Sequence, residues 1–241
     1  MLIKTRALVL RTVRYGEQNL VVDMLTRSAG RQTFFVRTTK TGRGMMKKQL
    51  LQPMSLLDIE FDLKQNASMR HLSNLQLSRP WTTLQNDAVK VPVTLFIAEF
   101  LTYATGGEVV NEPLFDYLEQ GLAWLDMATD NYANFHLVLL MRLSLFLGFA
   151  PDTESYESHA LFDLRNGVFS LRTPSHPDFL DERESEAMHQ LLRLNFETMH
   201  LFRMNRQQRN RCLDVILYFY RLHIPSFPEM KALPILRELF G

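Results

Sequence analysis

The chain has 241 residues, of which 46% are hydrophobic and 22% charged, and it contains one cysteine, Cys212. This composition suits a globular protein with a sizeable core, and a single cysteine excludes an internal disulfide framework and any cysteine-based zinc site. The net charge of +1 hides an asymmetry, because residues 1–80 contain 14 Lys/Arg and 5 Asp/Glu (net +9), whereas residues 81–241 contain 13 and 21 (net −8).

Charge segregated this sharply is typical of a chain in which one part binds a polyanion. The alternative is a solvated basic face that has no partner. The first residues lack the apolar run of a secretory signal, and no stretch approaches the ~20 apolar residues of a membrane span. We therefore expect a cytoplasmic protein that does not contact a membrane.

Short segments of alternating hydrophobicity fill the chain from Leu2 to about Leu77, and turn residues such as Gly16 and Gly30 separate them. The pattern predicts five strands, around residues 7–10, 20–24, 34–36, 57–63 and 71–77. Five short strands with no helix between them predict a small closed or nearly closed barrel. Residues 38–48 are polar and offer nothing to bury, so we expect a mobile loop there.

After Pro80 the apolar residues recur at steps of three and four, as in amphipathic helices. The pattern predicts helices at about residues 89–101, 113–125, 131–147, 181–194 and 206–223. We expect Asp130 or Asn131 to cap the third of these helices and Asp181 to cap the fourth.

Residues 150–177 follow neither period. Within them, Asn166-Gly167 supplies the pair of residues with φ > 0 that a tight hairpin turn needs. The strands of this hairpin are predicted around Phe162/Leu164 and Phe169/Leu171.

Motifs for enzymatic chemistry are missing from the sequence. It has no phosphate-binding loop, no dinucleotide fingerprint, no zinc-protease helix and no serine-hydrolase elbow. His159 and His176 flank the predicted hairpin, and whether they bind a metal stays open at this point. We expect no catalytic residue, no cofactor and no metal site, and hence a protein that is not an enzyme.

The basic segment has the residue types of a nucleic-acid surface, which needs cations to follow phosphates and flat rings for bases to stack on. Alternation places Phe34 and Phe35 on opposite faces of one strand, so one belongs to the core and the other is a candidate to stack on a base. The predicted phosphate contacts are Arg6, Arg11, Arg14, Arg27, Arg31, Arg37, Lys40, Arg43, Lys47 and Lys48. Nothing indicates base-specific readout, so binding is expected to tolerate sequence and to depend strongly on salt.

Several short motifs, in their order and spacing, resemble those of the RecO family of bacterial recombinational repair proteins. The matching segments are 7–11, Tyr15-Gly16-Glu17, 20–26, Gly30-Arg31, Leu51-Gln52-Pro53, Glu99-Phe100-Leu101, 112–118, 137–148 and 233–240. The resemblance implies an α+β protein with a five-stranded OB-fold barrel at residues 1–80, followed by an all-α helical domain at residues 81–149. A hairpin module at 150–180 replaces the zinc module of some members, and residues 181–241 complete the helical domain. The cysteines of that zinc module are absent here, so we expect no zinc.

The resemblance also implies a function. Members of the family bind single- and double-stranded DNA, anneal complementary strands and, in the RecF pathway, work with RecR to load RecA onto DNA coated by single-stranded-DNA-binding protein (SSB). In some members the acidic SSB tail binds an apolar pocket beside an arginine. The matching helix here, residues 132–147, contains Arg142, but not in the family's position, and the surrounding domain is acidic. Two alternatives stay open: an RNA-binding OB-fold protein, or an adaptor that binds only proteins.

Overall fold

The computed structural model describes residues 1–37, 48–63, 69–106 and 109–239. The strands are β1 (Leu2–Tyr15), β2 (Asn19–Thr26), β3 (Gly30–Arg37), β4 (Leu56–Asp62), β5 (Arg70–Arg79), β6 (Leu161–Asp163), β7 (Val168–Ser170) and β8 (Phe179–Leu180). The α-helices are α1 (Lys90–Ala104), α2 (Glu112–Met127), α3 (Phe135–Leu147), α4 (Glu182–Leu192), α5 (Arg206–His223) and α6 (Leu233–Glu238). Short 3-10 helices cover Thr153–Ser155 and Met199–Leu201. The predicted α+β fold, a five-stranded barrel followed by helices, is confirmed.

The first five strands form a closed barrel in the order β1-β2-β3-β5-β4. Strand β1 is long enough to pair twice: its first half, from Leu2 to Leu8, pairs with β4, and its second half pairs with β2. A bulge between Val9 and Arg11 separates the two halves. Strands β3 and β5 close the barrel through only two parallel residue pairs.

Side chains of alternate residues fill the barrel, as expected of strands with one buried face. Phe34 of β3 and Phe61 of β4 are fully buried, and their rings meet nearly edge to face at 5.1 Å. Gly16 and Gly30 both have positive φ, at 71° and 64°, and these glycines permit the tight turns on either side of β2. The barrel was predictable because apolar and polar residues alternate along its strands.

Residues 1–126 and 230–236 form one compact unit, in which α1 and α2 join the barrel. Asp126 anchors the segment that follows β5, because its carboxylate accepts backbone hydrogen bonds from Thr82, Thr83 and Leu84 at 2.7–3.1 Å. Burial disfavours the carboxylate, but these hydrogen bonds outweigh it and lower the pKa of Asp126 to about 2. In the same unit, the Glu99 carboxylate of α1 accepts the backbone N–H groups of Lys231 and Ala232.

Residues 127–229, with the chain from Arg237 onward, form a second compact unit. The predicted cap of α4 is confirmed, since the Asp181 side chain accepts the N–H of Glu184 at 2.8 Å. The predicted cap of α3 was wrong: the helix begins after Asn134 rather than after Asp130 or Asn131. The Asn134 side chain instead donates to the carbonyl groups of Met199 and Phe202, which links α3 to the chain before α5.

The hairpin of the second unit is present, with Phe162 opposite Phe169, but its turn differs from the prediction. The register pairs Asp163 with Val168, and only Gly167 in the connection has a positive φ. Asp163 accepts the N–H groups of Arg165 and Asn166, so a carboxylate organises a longer loop in place of the two-residue turn. None of the helices described in either unit is long and apolar enough to cross a membrane.

Candidate nucleic-acid interface

One outer surface of the barrel combines rings, apolar side chains and arginines. Strand register aligns Val13 of β1, Val21 of β2, Phe35 of β3 and His71 of β5 as a continuous row across four strands. Side chains of alternate residues lie on the same side of a strand, so the residues two positions before and after those in the row lie on the same surface. We call this surface the ring face; it consists of Arg11, Val13, Tyr15, Asn19, Val21, Asp23, Thr33, Phe35, Arg37 and His71.

Three rings lie side by side on the ring face. The Phe35 centroid is 6.0 Å from that of Tyr15 and 5.8 Å from that of His71, with interplanar angles of 73° and 79°. Tyr15 is 64% exposed, His71 is exposed and Phe35 is partly exposed. Large rings at a sheet surface offer the flat, sequence-tolerant platform on which unpaired bases stack.

Two exposed arginines flank these rings. Arg11 lies opposite Asp23, and Arg37 lies opposite Asn19, which itself pairs with Tyr15. Neither guanidinium forms an ion pair with a carboxylate among residues 1–37, 48–63, 69–106 and 109–239. The ring face therefore presents positive charge that is available to an anionic ligand.

Asp23 is the one carboxylate on the ring face, and its oxygens are already engaged. One accepts the Thr33 hydroxyl at 2.7 Å, and the other lies 3.4 Å from the guanidinium of Arg31. Arg31 also donates to the backbone carbonyl of Thr102 in α1. Arg31 is thus held between β2 and α1, at the edge of the ring face.

Arg6 and Arg27, two of the predicted phosphate contacts, are paired with carboxylates of α2. Arg27 donates to both oxygens of Asp116 at 2.8 and 2.9 Å and lies 2.7 Å from Glu112. Arg6 pairs with Glu119 and lies 3.7 Å from Asp116. The Arg27 guanidinium lowers the pKa of the Asp116 carboxyl, and Asp116 in turn raises the pKa of Arg27. These two arginines join the helix to the barrel.

The remaining predicted cations are Arg14, Lys40, Arg43, Lys47 and Lys48. Arg14 lies opposite the buried Leu20, so it occupies an inward register position, but it is exposed because β1 ends one residue later. Lys48 is also exposed. The predicted contacts Lys40, Arg43 and Lys47 lie outside the residues that the structure describes.

The structure separates the two stacking candidates. Phe34 has no exposed surface and packs in the barrel core, so a base cannot stack on it, and that part of the prediction was wrong. Phe35 lies on the ring face. The sequence analysis missed Tyr15 and His71 as its neighbours. Tyr15 could have been found, since it shares the alternation of Arg11 and Val13, but His71 depends on how β5 closes the barrel.

The two histidines near the hairpin each contact a carboxylate. His159 Nδ1 lies 2.8 Å from Glu182, and His176 Nε2 lies 3.3 Å from Asp163. Across the described part of the chain, no three His, Cys, Asp or Glu side chains are grouped so that they could hold a metal ion.

Comparison with known proteins gives the same family along the whole chain. A family model described as "Recombination protein O N terminal" matches residues 1–81, and one described as "Recombination protein O C terminal" matches residues 85–232. The chain belongs to the RecO family. A protein named DNA repair protein RecO from Phocaeicola vulgatus is 41% identical over 241 residues, which covers all of both chains. The proteins of the same name from Bacteroides fragilis and Flavobacterium johnsoniae are 41% and 34% identical, again with complete coverage of both chains.

The resemblance to RecO in the sequence motifs is therefore confirmed, and with it membership of a family of DNA repair proteins. The N-terminal RecO match contains every residue of the ring face. The C-terminal RecO match begins four residues after it ends and contains α1 to α5.

Proposed function

We propose that the protein is a DNA-binding recombination mediator that anneals complementary strands, and that its ring face contacts DNA together with the cations that follow β3 in sequence, Lys40, Arg43, Lys47 and Lys48. The observation that supports this proposal is the juxtaposition, on one barrel surface, of three rings with two exposed arginines that have no carboxylate partner among the described residues. Membership of a DNA repair family supports DNA as the polyanion. Of the ten cations named from the sequence, Arg11 and Arg37 are the best supported as contacts, and Arg6 and Arg27 are the least, because they pair with carboxylates of α2.

Phosphate contacts would supply most of the affinity. Each arginine that neutralises a phosphate releases condensed counterions, so affinity falls as salt rises. Single and double strands both present phosphates, and the cations therefore serve both forms of DNA. Cations that hold two strands close also reduce the repulsion between their phosphates, which is what annealing requires.

The direct test is titration of labelled single-stranded DNA at several salt concentrations, repeated with a complementary strand. We expect log Kd to change linearly with log salt, with a slope of about 0.7 per phosphate contact on single strands. We also expect the protein to accelerate pairing of the two strands. A Kd that stays constant between low and physiological ionic strength would overturn the proposal. RNA of equal length as a competitor distinguishes a DNA-binding protein from an RNA-binding one.

The same proposal includes partner proteins. We propose that the protein works with RecR to load RecA onto SSB-coated DNA in the RecF pathway, as its family resemblance implies. The test is RecA-dependent ATP hydrolysis on SSB-coated single-stranded DNA, with this protein and RecR added singly and together. Stimulation only when both are present is the expected result. No stimulation in the presence of both would remove this part of the proposal.

For the SSB tail, the second unit offers a suitable pocket of about 210 Å³ between α3 and α4. Its apolar wall includes Val138, Met141 and Leu191, and Arg142 and Leu145 lie exposed at its edge. An arginine beside an apolar pocket suits a peptide that combines apolar residues with carboxylates. We expect Arg142→Ala to weaken binding of the acidic C-terminal SSB peptide and to leave DNA binding unchanged.

The proposed activity consists of binding and release, with no covalent step and no cofactor. DNA as the ligand also implies that the protein works in the bacterial cytoplasm, at the nucleoid. The division of the chain at residues 80, 149 and 180 stays a prediction, which limited proteolysis followed by mass spectrometry would test.

A further inference from the structure

A cleft opens on the ring face beside the rings, where β3 and β5 meet. These strands pair only at Phe34 with Arg70 and at Phe35 with His71. Beyond the second pair lies a cleft of about 210 Å³, bordered by the two strands. Its polar and aromatic lining comes from Phe35, Arg37, His71, Ser73 and Asn74.

The lining residues together fit a planar ring with a polar edge and a nearby negative charge. Phe35 and His71 supply ring surfaces, and Arg37 supplies a cation with no carboxylate partner among the described residues. Asn74 Oδ1 accepts the N–H of Leu75 at 2.9 Å, and its NH₂ group is a further donor in the cleft lining. The exposed Ser73 hydroxyl can donate or accept.

We propose that this cleft holds one unpaired nucleobase of single-stranded DNA, stacked against Phe35, with the adjoining phosphate on Arg37. The inference rests on the proposed function, since it takes DNA as the ligand. It goes beyond phosphate binding because a base inside a duplex is stacked and paired and cannot enter a cleft of this size without leaving the helix. The cleft therefore gives the ring face a preference for single strands that its arginines alone cannot supply.

The preference also has a consequence for annealing. A base in the cleft is held by stacking and by polar groups at its edge, and these contacts are lost when the base pairs with its complement. The completed duplex then retains only the phosphate contacts, so the protein binds the product of annealing less tightly than the reactant. Release of product follows from the same residues that capture the single strand.

The test compares two single strands of equal length and equal phosphate number, one with normal bases and one with abasic sugars throughout. We expect the full-length protein to bind the base-bearing strand about 5- to 150-fold more tightly, the range for loss of one base-aromatic stack. Phe35→Leu should reduce this ratio toward one and leave the salt slope unchanged, because no phosphate contact is removed. Gln76→Ala, an exposed change on β5 away from the cleft, should preserve the ratio.

A second variant guards against a folding defect in Phe35→Leu. Ser73→Ala with Asn74→Ala alters two exposed side chains, and it should lower the ratio in a protein whose thermal unfolding matches the wild type. A 2-aminopurine placed in the strand gives an independent readout, since its fluorescence changes when the base stacks on a ring. That change should disappear in Phe35→Leu and persist in Gln76→Ala.

The outcomes separate this inference from the proposed function. Equal affinity of the wild type for both strands, with a normal salt slope, would refute the cleft and leave DNA binding intact. Retention of the wild-type ratio in Phe35→Leu would also refute it. Failure to bind either strand at low salt would instead refute the proposed function, and the cleft inference with it.

Discussion

The barrel has two outer faces that differ in what their charges do. On the ring face, Arg11 and Arg37 have no carboxylate partner among the described residues, and the single carboxylate, Asp23, is engaged by Thr33 and Arg31. The other face, which we call the paired face, is formed by the first half of β1 and by β4. Its outward residues are Leu2, Lys4, Arg6, Asp58, Glu60 and Asp62.

On the paired face the strand register matches each cation with an acid. Lys4 lies opposite Glu60 and forms an ion pair with it at 2.8 Å, and the N-terminal amine lies 2.6 Å from Asp62. Arg6 extends to Glu119 of α2. The +9 charge of residues 1–80 therefore overstates the binding surface, because carboxylates of a neighbouring strand or of α2 already pair with Lys4, Arg6 and Arg27.

The largest effect should come from the cations that follow β3 in sequence. Replacing Lys40, Arg43, Lys47 and Lys48 together by Ala should reduce the salt slope on single-stranded DNA by up to about three units, at ~0.7 per phosphate contact. Lys4→Ala on the paired face is the matched control and should leave the slope unchanged. Unchanged affinity in the quadruple variant would mean that the arginines of the strands, and not these four residues, form the main contact with DNA.

A smaller loss should follow from the ring face itself. Arg11→Ala with Arg37→Ala removes two available cations and should reduce the slope by about 1.4 units. Circular dichroism and thermal unfolding should match the wild type, since both side chains are exposed and neither has a carboxylate partner in the described part of the chain. If Lys4→Ala lowered DNA affinity as much as this double variant, the distinction between the two faces would fail.

Asp126 differs from the cations of both barrel faces, because its charge contributes to folding and not to DNA binding. Its pKa of about 2 lies below the unfolded value of ~3.9, so its ionised form contributes about 2.5 kcal/mol at neutral pH. This contribution is fully present above about pH 4 and is lost as the pH falls toward 2. Asp126→Asn should therefore lower the free energy of unfolding by about 2.5 kcal/mol at pH 7 and by about half as much at pH 3.

Urea denaturation at the two pH values measures this difference. Asp130→Asn, the same chemical change at an exposed position, is the control and should alter stability little at either pH. DNA affinity at low salt should be the same in both variants. An equal loss of stability for Asp126→Asn at both pH values would contradict the role of the ionised carboxylate.

The sequence predicted what depends on local period and missed what depends on packing. Alternation along β3 placed Phe34 and Phe35 on opposite faces, and the structure shows that Phe34 is the one in the core. The contact of Phe35 with His71 requires the parallel closure of β3 on β5, which no local pattern reports. The engagement of Arg27 by Asp116, 89 residues later in the chain, is likewise created by the packing of α2 on the barrel.

The turn at Asn166-Gly167 also shows that contacts with neighbouring residues can outweigh a local sequence preference. Its residue types favour a two-residue hairpin turn, and the hairpin formed where it was expected. Asp163 nevertheless accepts two backbone N–H groups and lengthens the loop, so only Gly167 needs a positive φ. The preference of Asn-Gly for a two-residue turn was therefore outweighed by the hydrogen bonds that the Asp163 carboxylate accepts from the loop backbone.

The smallest effect, and the closest test of the comparison, concerns Arg27. Arg27→Ala should leave DNA affinity and the salt slope unchanged, because Asp116 and Glu112 already neutralise this guanidinium. It should lower the unfolding midpoint slightly, since the link between α2 and the barrel is weakened while the pair stays partly solvated. Arg11→Ala, an arginine from the same barrel, should do the opposite: it should weaken DNA binding and leave the midpoint unchanged.

Thermal unfolding and salt titration of the two single variants measure both quantities. Asp116→Ala adds a third arm, because it removes the main acceptor of Arg27 while keeping the cation. If Arg27 is held away from DNA by this pair, Asp116→Ala should raise the salt slope by up to ~0.7. If Arg27→Ala reduced the salt slope as much as Arg11→Ala, the ion pair between Arg27 and Asp116 would have to break when DNA binds. Ion pairing in the free protein would then not decide which arginines contact DNA.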